Sequence, residues 1–269
     1  MNSGRSTSLN TLRENQKSAI VGVLLLTHNH APSLERCLDS IRWADQIVMV
    51  DAGSSDETLA IAAKSAAHVY YQPPSTWALR AAFGLSRLTT DWTLYLRPDE
   101  WVEEMLKHEI EGVALNINTP ESGFFIDRRL TFQRQPLNRF KLETPALRLF
   151  RRATPIEAPW AEAFRLVNLD GTTRTLTHRL GFEPARTLNE LFDTVTHQAN
   201  QAACRQLETD GPAKRPMGSA TLLAALGKRF AQRFVWEANC LEGFPGLAVS
   251  LADAYGAYLK KAQYSQANS

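Results

Sequence analysis

The feature that most constrains this chain is an alternation repeated four times before about residue 115: an apolar run of strand length, then a helix-period segment, with short connections. Residues 19–26 (AIVGVLLL) are continuously apolar, as a parallel strand buried on both faces requires. Pro32 opens a helix with Leu34, Cys37, Leu38 and Ile41 at helical spacing. Residues 46–50 (QIVMV) read as a second buried strand, closed by Asp51 and an AGSS turn. Ser54 and Glu57 have capping-box spacing ahead of Leu59, Ile61 and Ala62. Residues 67–71 form a third strand, stopped by Pro73 and Pro74, and residues 77–88 a helix. Residues 92–96 (WTLYL) are a fourth strand ending at Arg97-Pro98-Asp99-Glu100, and residues 101–113 another helix. The pattern predicts an α/β fold with a doubly wound, mostly parallel sheet. Ligands of such sheets bind beyond the carboxyl ends of the strands. The loops after Leu26, Val50, Tyr71 and Leu96 are therefore where a site is expected.

The second half changes character. Residues 123–129 and 146–150 read as strands among basic loops. After Thr177-His178 the pattern is helical, over 188–207, 219–240 and 247–261, with breaks at 211–216 (GPAKRP) and 243–246 (GFPG). The predicted organisation is a polar tail over 1–18, an α/β domain over 19–175 and a helical C-terminal extension over 176–269. The tail lacks the apolar core of a signal peptide. The apolar run at 19–26 is far shorter than the ~20 residues that span a bilayer. A cytoplasmic location is expected, with peripheral contact at the inner face of the membrane as a further option. Cys37, Cys204 and Cys240 have no zinc spacing and suggest no disulfide framework.

The net charge is only +2, so charge matters locally. Between Arg128 and Arg152 stand eight basic residues (Arg128, Arg129, Arg134, Arg139, Lys141, Arg148, Arg151, Arg152) against one acid, Glu143. Such a run suits a diphosphate, a phosphorylated lipid or an acidic membrane surface, or else is a solvated loop. Lys228, Arg229 and Arg233 lie beside Leu222, Leu223, Leu226, Phe230, Phe234 and Trp236. That segment is either an amphipathic surface for a lipid-linked acceptor or a helix facing a core. Nothing suggests a nucleic-acid partner.

Asp51 carries the best single site signal. A carboxylate at the end of a buried strand can accept hydrogen bonds from a uracil or a ribose. Gly53 permits close approach of backbone and ligand, and Ser54 to Asp56 precede a helix N-terminus that favours anions. From spacing alone, an ordinary strand-to-helix turn with a capping box explains the same residues.

The stretch THNHAPSLERCLDSIRWADQIVMVDAGSSDETLAIA resembles the opening of a family 2 inverting glycosyltransferase, in particular the lipopolysaccharide-core glucosyltransferase branch. The residues that carry the likeness are Thr27, Asn29, Cys37-Leu38, Ser40, Trp43-Ala44-Asp45, Ile47-Val48, Asp51, Gly53-Ser54, Asp56 and Thr58. It resumes at Trp77, Asp91-Trp92, Arg148–Arg152 and Thr177-His178, and more faintly at Glu242-Gly243-Phe244 with Ala254-Tyr255. The resemblance implies a fold of the nucleotide-diphospho-sugar transferase, or GT-A, type. It implies a donor side built from Thr27, Asn29, Asp51, Gly53, Ser54, Asp56, Arg80, Arg97, Arg148 and His178, and a metal position at Asp99. It also implies a catalytic base at Glu162, matched to the second member of the family's His-Glu pair.

Departures accompany the matches. Asn-Glu is Asn29-His30 here, a Gln and an Asn fall on Arg80 and Ala82, and the His of the His-Glu pair falls on Ala161. The Asp-Ala-Asp-Glu metal motif reads Arg97-Pro98-Asp99-Glu100. The leaving diphosphate needs positive charge, which the family takes from a divalent cation on oxygen ligands. Arg97 could repel that cation, pair with phosphate bidentately, or make a structural ion pair with Asp99 or Glu100.

What the resemblance implies is an enzyme that moves a hexose, with inversion, from a nucleoside diphosphate sugar such as a UDP-sugar to a saccharide or lipid-linked saccharide. The setting would be synthesis of cell-surface polysaccharide or lipopolysaccharide. Mg²⁺ or Mn²⁺ would be held less tightly because of Arg97, and no organic cofactor is expected. The alternative is a non-catalytic scaffold or binding protein that keeps the fold and has lost turnover.

Overall fold

The computed structural model describes residues 21–74, 76–140, 145–151, 172–210 and 218–266. These divide into two compact units. One lies within Met1–Arg128 and Glu143–Gly181, the other within Arg129–Leu142 and Phe182–Ser269.

In the first unit the predicted alternation forms. Its elements are β1 (Val21–Thr27), α1 (Ala31–Ser40), β2 (Gln46–Asp51), α2 (Thr58–Ala62), β3 (His68–Tyr71), α3 (Trp77–Arg87) and β4 (Trp92–Leu96). After these come β5 (Glu100–Trp101), α4 (Glu104–Leu115) and β6 (Glu121–Ile126). The chain goes on through β7 (Arg128–Phe132) and β8 (Gln135–Pro136) to β9 (Ala146–Arg151), β10 (Thr172–Thr175) and β11 (Leu180–Phe182). Seven strands make one sheet in the order β10-β6-β9-β4-β1-β2-β3. All its pairs are parallel except those of β9, which runs antiparallel between β4 and β6.

Why the strands read as unbroken apolar runs is visible in their two faces. Alternate residues of β1, β2 and β4 (Val23, Leu25, Met49, Leu94) pack on Leu34, Cys37 and Leu38 of α1 and Leu106 and Ile110 of α4. The intervening residues (Leu24, Leu26, Val48, Val50, Tyr95) pack on α3 through Ala81, Trp77 and Phe83. A sheet covered on both faces has no polar side to alternate with. Gly84 lets α3 lie close on β1: a Cβ there would come within 2.4 Å of the Leu24 side chain.

Three local expectations change. The helix expected at 101–113 begins at Glu104, because Glu100 and Trp101 are buried in extended backbone, with the Arg36 guanidinium 3.3 Å above the indole. The expected strand at 123–129 is two strands, separated at Asp127. The capping box does not form. The Ser54 hydroxyl donates to Asp51, while Asp56 accepts the Thr58 amide at the start of α2.

In the second unit, β7 and β8 pair as an antiparallel hairpin. Leu130, Phe132, Leu137 and Phe140 from this hairpin region share a core with Phe182, Leu191, Ala248 and Val249. Apolar burial thus draws residues 129–140 to the helices, although the sequence alone groups them with the sheet. Those helices are α5 (Leu188–Asp210), α6 (Ser219–Ala231) and α7 (Gly243–Gln266). The helix expected over 219–240 stops at Ala231 and passes into a π-helical turn, Gln232–Trp236. That turn carries buried Arg233, which binds Asp253 and Glu237. No helix among the described residues is long and apolar enough to cross a membrane.

Candidate functional site

The carboxyl ends of β1, β2, β3 and β4 lie side by side, because each strand pairs in parallel with the next. The loops that leave them therefore converge. The loops after β1 and β2 are stitched together. Asn29, at a left-handed φ of 55°, donates its amide to Ser54 Oγ at 2.8 Å and accepts the Ser55 amide on Oδ1 at 2.8 Å. The His30 amide donates to Thr58 Oγ1 at 2.9 Å, and the Ala31 amide to Asp56 Oδ2 at 3.1 Å.

Asp51 is buried, directly opposite Thr27 in the β1–β2 register. Its Oδ2 accepts the amides of Gly53 and Ser54, both at 2.8 Å, and its Oδ1 accepts the Ser54 hydroxyl. Gly53 has a φ of 91°, a conformation that costs a glycine nothing. Desolvation acts upward on the exposed Asp56 carboxyl, but hydrogen bonds from Thr58 and Ala31 outweigh it and hold the group below the usual carboxylate range. The signature residues Asn29, Asp51, Ser54 and Asp56 thus shape the loops through their own polar atoms.

What these loops present outward is an aromatic ring. Tyr71 ends β3 beside Asp51 and is 66% exposed, and a Cβ on Gly53 would lie 3.5 Å from its ring. Sequence reasoning passed over Tyr71. The available signal was an aromatic residue at the end of a strand, just before a loop already marked for inspection.

The loop after β4 holds the charges. Arg97 grips Asp99 bidentately, Nε to Oδ1 at 3.0 Å and Nη2 to Oδ2 at 2.8 Å. Asp99 beside it keeps that guanidinium protonated well beyond its ordinary range. Glu100, fully buried, accepts the Arg97 amide at 2.9 Å and Arg148 Nη2 at 2.7 Å, with Arg128 Nη1 at 3.5 Å. Burial lowers the Arg128 pKa even though Glu100 opposes this. Arg148 also lies over the Tyr95 ring at 5.0 Å. It arrives there because β9 is antiparallel to β4, with Leu149 opposite Leu94, so its preceding residue falls beside Tyr95. The Cys37 thiol, its pKa raised by burial, is 3.6 Å from the Arg97 carbonyl oxygen and supports the loop from below. His30 feels the same cluster: burial lowers its pKa, with Asp99 and Arg97 acting in opposite directions.

Arg80 is half-buried on α3, and its Nε has no hydrogen-bond partner among the described residues. The same holds for Arg148 Nε. His178 is held by Glu109 of α4, which accepts its Nδ1 contact at 2.8 Å and the amides of Thr177 and His178. Thr27 Oγ1 is buried without a partner among the described residues. Glu162, Ala161, Lys141 and Arg152 lie outside the described residues. The basic run disperses. Arg128 and Arg148 serve Glu100, Arg151 binds the Thr119 carbonyl and covers Trp92, and Arg134 and Arg139 are exposed in the second unit.

A family model described as Glycosyl transferase family 2 matches residues 23–177. The chain belongs to this family. Among curated proteins it is 29% identical over 114 residues to an uncharacterized glycosyltransferase of Rickettsia conorii, covering 42% of this chain and 38% of that one. It is 28% identical over 149 residues to one of Rickettsia bellii, covering 55% and 46%. The matched stretch thus spans less than half the length of these relatives. Among solved structures, glucosyl-3-phosphoglycerate synthase from Mycobacterium tuberculosis in complex with phosphoglyceric acid aligns with a TM-score of 0.50. The identity is 14%, over 77% of this chain and 85% of that one. The fold is of the GT-A type, a mostly parallel sheet with helices and a helical C-terminal part. Both oxygens of Asp99 face Arg97, and no group of three or more His, Cys, Asp or Glu able to hold a metal occurs among the described residues. The residues described there do not fit a divalent cation as they stand.

Proposed function

We propose that this chain transfers a hexose, with inversion, from a UDP-sugar to a saccharide or lipid-linked saccharide in cell-surface polysaccharide or lipopolysaccharide synthesis. We further propose that arginines, rather than a divalent cation, balance the charge of the diphosphate. The observation that carries the second part is the bidentate closure of Asp99 by Arg97 at the carboxyl end of β4. Arg97, Arg128 and Arg148 bring three positive charges against the two carboxylates of Asp99 and Glu100, so the cluster is net cationic. Arg97 keeps 39% of its side chain exposed, so the pair is not sealed in the core. The Nε of Arg148, without a hydrogen-bond partner among the described residues, adds a further donor within this cluster. Preorganised cations where charge develops on a leaving group lower the barrier without reorganising during the reaction.

In this reading the Asp51–Asp56 loop and Asn29 shape the nucleoside pocket, and Tyr71 stacks on the base. Glu162 takes the proton of the attacking acceptor hydroxyl. Tyr71→Ala is expected to weaken binding of UDP by about 1–3 kcal/mol, the scale of base–aromatic stacking. Asp51→Ala, which releases the loop, is expected to weaken it by at least as much. Isothermal titration of the full chain checks both; unchanged affinity in both variants removes the nucleoside assignment.

The expected metal response is a second test. Transferase activity should persist in EDTA, because Asp99 already has its counter-charge in Arg97. Complete loss on chelation, reversed by Mn²⁺ or Mg²⁺, would show that a metal displaces Arg97 from Asp99.

The same closure of Asp99, with Ala161 and Ala82 at positions where the resemblance places polar side chains, favours one other reading: a non-catalytic nucleotide-binding scaffold. Binding of a UDP-sugar with neither transfer nor hydrolysis, across acceptor extracts of the host, selects it.

A further inference from the structure

The second unit displays apolar side chains that a water-exposed surface does not explain. Trp236 is 88% exposed, Leu241 70%, Val235 63% and Phe244 53%, and Leu247 and Leu251 are exposed as well. They are contiguous. Val235 and Trp236 end the π-helical turn, Leu241 lies in the 3-10 turn Asn239–Glu242, and Phe244, Leu247 and Leu251 follow at helical spacing on α7. These elements pack on one another and turn the chain between α6 and α7, so they form the tip of one helical hairpin, and the six side chains are carried on it and on the first turns of α7. Exposed patches of this kind mark interaction surfaces.

The charges around the tip identify the partner's chemistry. Among the described residues from 218 to 236 there are three basic residues (Lys228, Arg229, Arg233) and no acid, and Lys228 is exposed. The acids closest in sequence and space are engaged internally. Glu237 accepts Arg233 at 2.8 Å, and Asp253 holds Arg229 at 2.6 Å and Arg233 at 3.2 Å. Glu242 accepts the Arg139 amide at 2.9 Å, and its carbonyl accepts Gln135 Nε2 at 3.2 Å. Those two bonds place the β7–β8 hairpin, with exposed Arg134 and Arg139, beside Leu241 and Phe244. The tip is therefore an aromatic and aliphatic cap with a basic collar.

We infer that this tip docks on an anionic lipid bilayer, with Trp236 and Phe244 entering the headgroup region and Arg134, Arg139 and Lys228 meeting lipid phosphates. Tryptophan favours that depth because one ring edge is polar and the rest apolar. Peripheral binding of this type combines buried apolar area with attraction of basic side chains to acidic lipid. A symmetric second copy is a poorer occupant, because an isologous contact would set each basic collar against its own image. The surface stands apart from the donor-site reading: none of its residues belongs to the proposed nucleotide pocket.

The test is co-sedimentation of the full chain with vesicles of phosphatidylcholine alone and of phosphatidylcholine mixed with phosphatidylglycerol. Binding is expected with the anionic vesicles at least about tenfold more tightly than with the neutral ones, and it should fall as salt rises. Trp236→Ser with Phe244→Ser, and separately Arg134→Glu with Arg139→Glu, should each reduce it by about tenfold or more. Because these side chains are exposed, far-ultraviolet circular dichroism and UDP affinity should match the parent. Absence of parent binding to anionic vesicles overturns the inference, as does equal binding by both double variants. So does a concentration-dependent dimer that Trp236→Ser dissolves while vesicle binding is absent. UDP affinity is read in the same samples, so a failed donor reading and a failed docking surface give different results.

Discussion

Replacing Glu100 with leucine should destabilise the protein by about 3–5 kcal/mol, the cost of leaving buried charge without its partner. Glu100 is fully buried, Arg148 nearly so, and Arg128 is mostly enclosed. Removing the carboxylate takes a salt-bridge partner from two guanidiniums in a low-dielectric interior, where desolvation disfavours their charge. The Arg97 amide also loses its acceptor. Urea denaturation of parent and variant measures the difference. Adding Arg148→Met to Glu100→Leu should recover part of the loss, because an apolar pair removes one stranded charge along with the carboxylate. A single-variant loss below about 1 kcal/mol would show that water reaches the cluster and that Glu100 is not what holds the arginines. The outcome bears on function, because Glu100 fixes the backbone and the charge surroundings of the Arg97–Asp99 pair.

Glu162→Gln should lower the transfer rate by ~10²–10⁴-fold while donor affinity stays near the parent value. The substitution keeps size and hydrogen bonding but cannot take the acceptor's proton. The motive is the alignment of Glu162 with the family's His-Glu pair, in a segment outside the described residues. Steady-state kinetics with saturating donor, together with a separate binding titration, distinguish the two quantities. Full activity in the variant would transfer the base role to another residue and leave the transferase reading in place. Loss of donor affinity in parallel with rate would make Glu162 a binding residue.

The first of these predictions draws on the cluster after β4, where sequence reading was least decisive. Arg97 in a metal motif had three outcomes before any coordinates: repelling a cation, holding phosphate, or pairing with an acid of its own loop. Sequence spacing cannot choose among them, since all three need only a guanidinium at that position. The fold closes the Arg97 fork on Asp99 and engages Glu100 with Arg148, a residue 48 positions away that β9 delivers. Strand pairing is the step that could not be read. Residues 146–150 are legible as a strand, but their alternation does not say which neighbour they pair with or in which direction.

The loops after β1 and β2 illustrate the same division. Asn29, Asp51, Ser54 and Asp56 were legible as polar residues clustered at strand ends. A carboxylate there accepts a ligand's donors or its own backbone's with equal ease, and here the acceptors close on Gly53, Ser54, Thr58 and Ala31. Only the pairing of β3 with β2 brings Tyr71 beside Asp51.

By itself, then, the sequence determined the succession of strands and helices in the first 115 residues and the end of the sheet where the candidate site is proposed. Those follow from local periodicity and from the need to bury both faces of a parallel sheet. Tertiary structure alone decided the antiparallel insertion of β9, the transfer of residues 129–140 to the helical unit and the pairing of Arg97 with Asp99. Each of these is set by which surfaces meet in space, and the energies that select them are desolvation and packing between segments far apart in the chain.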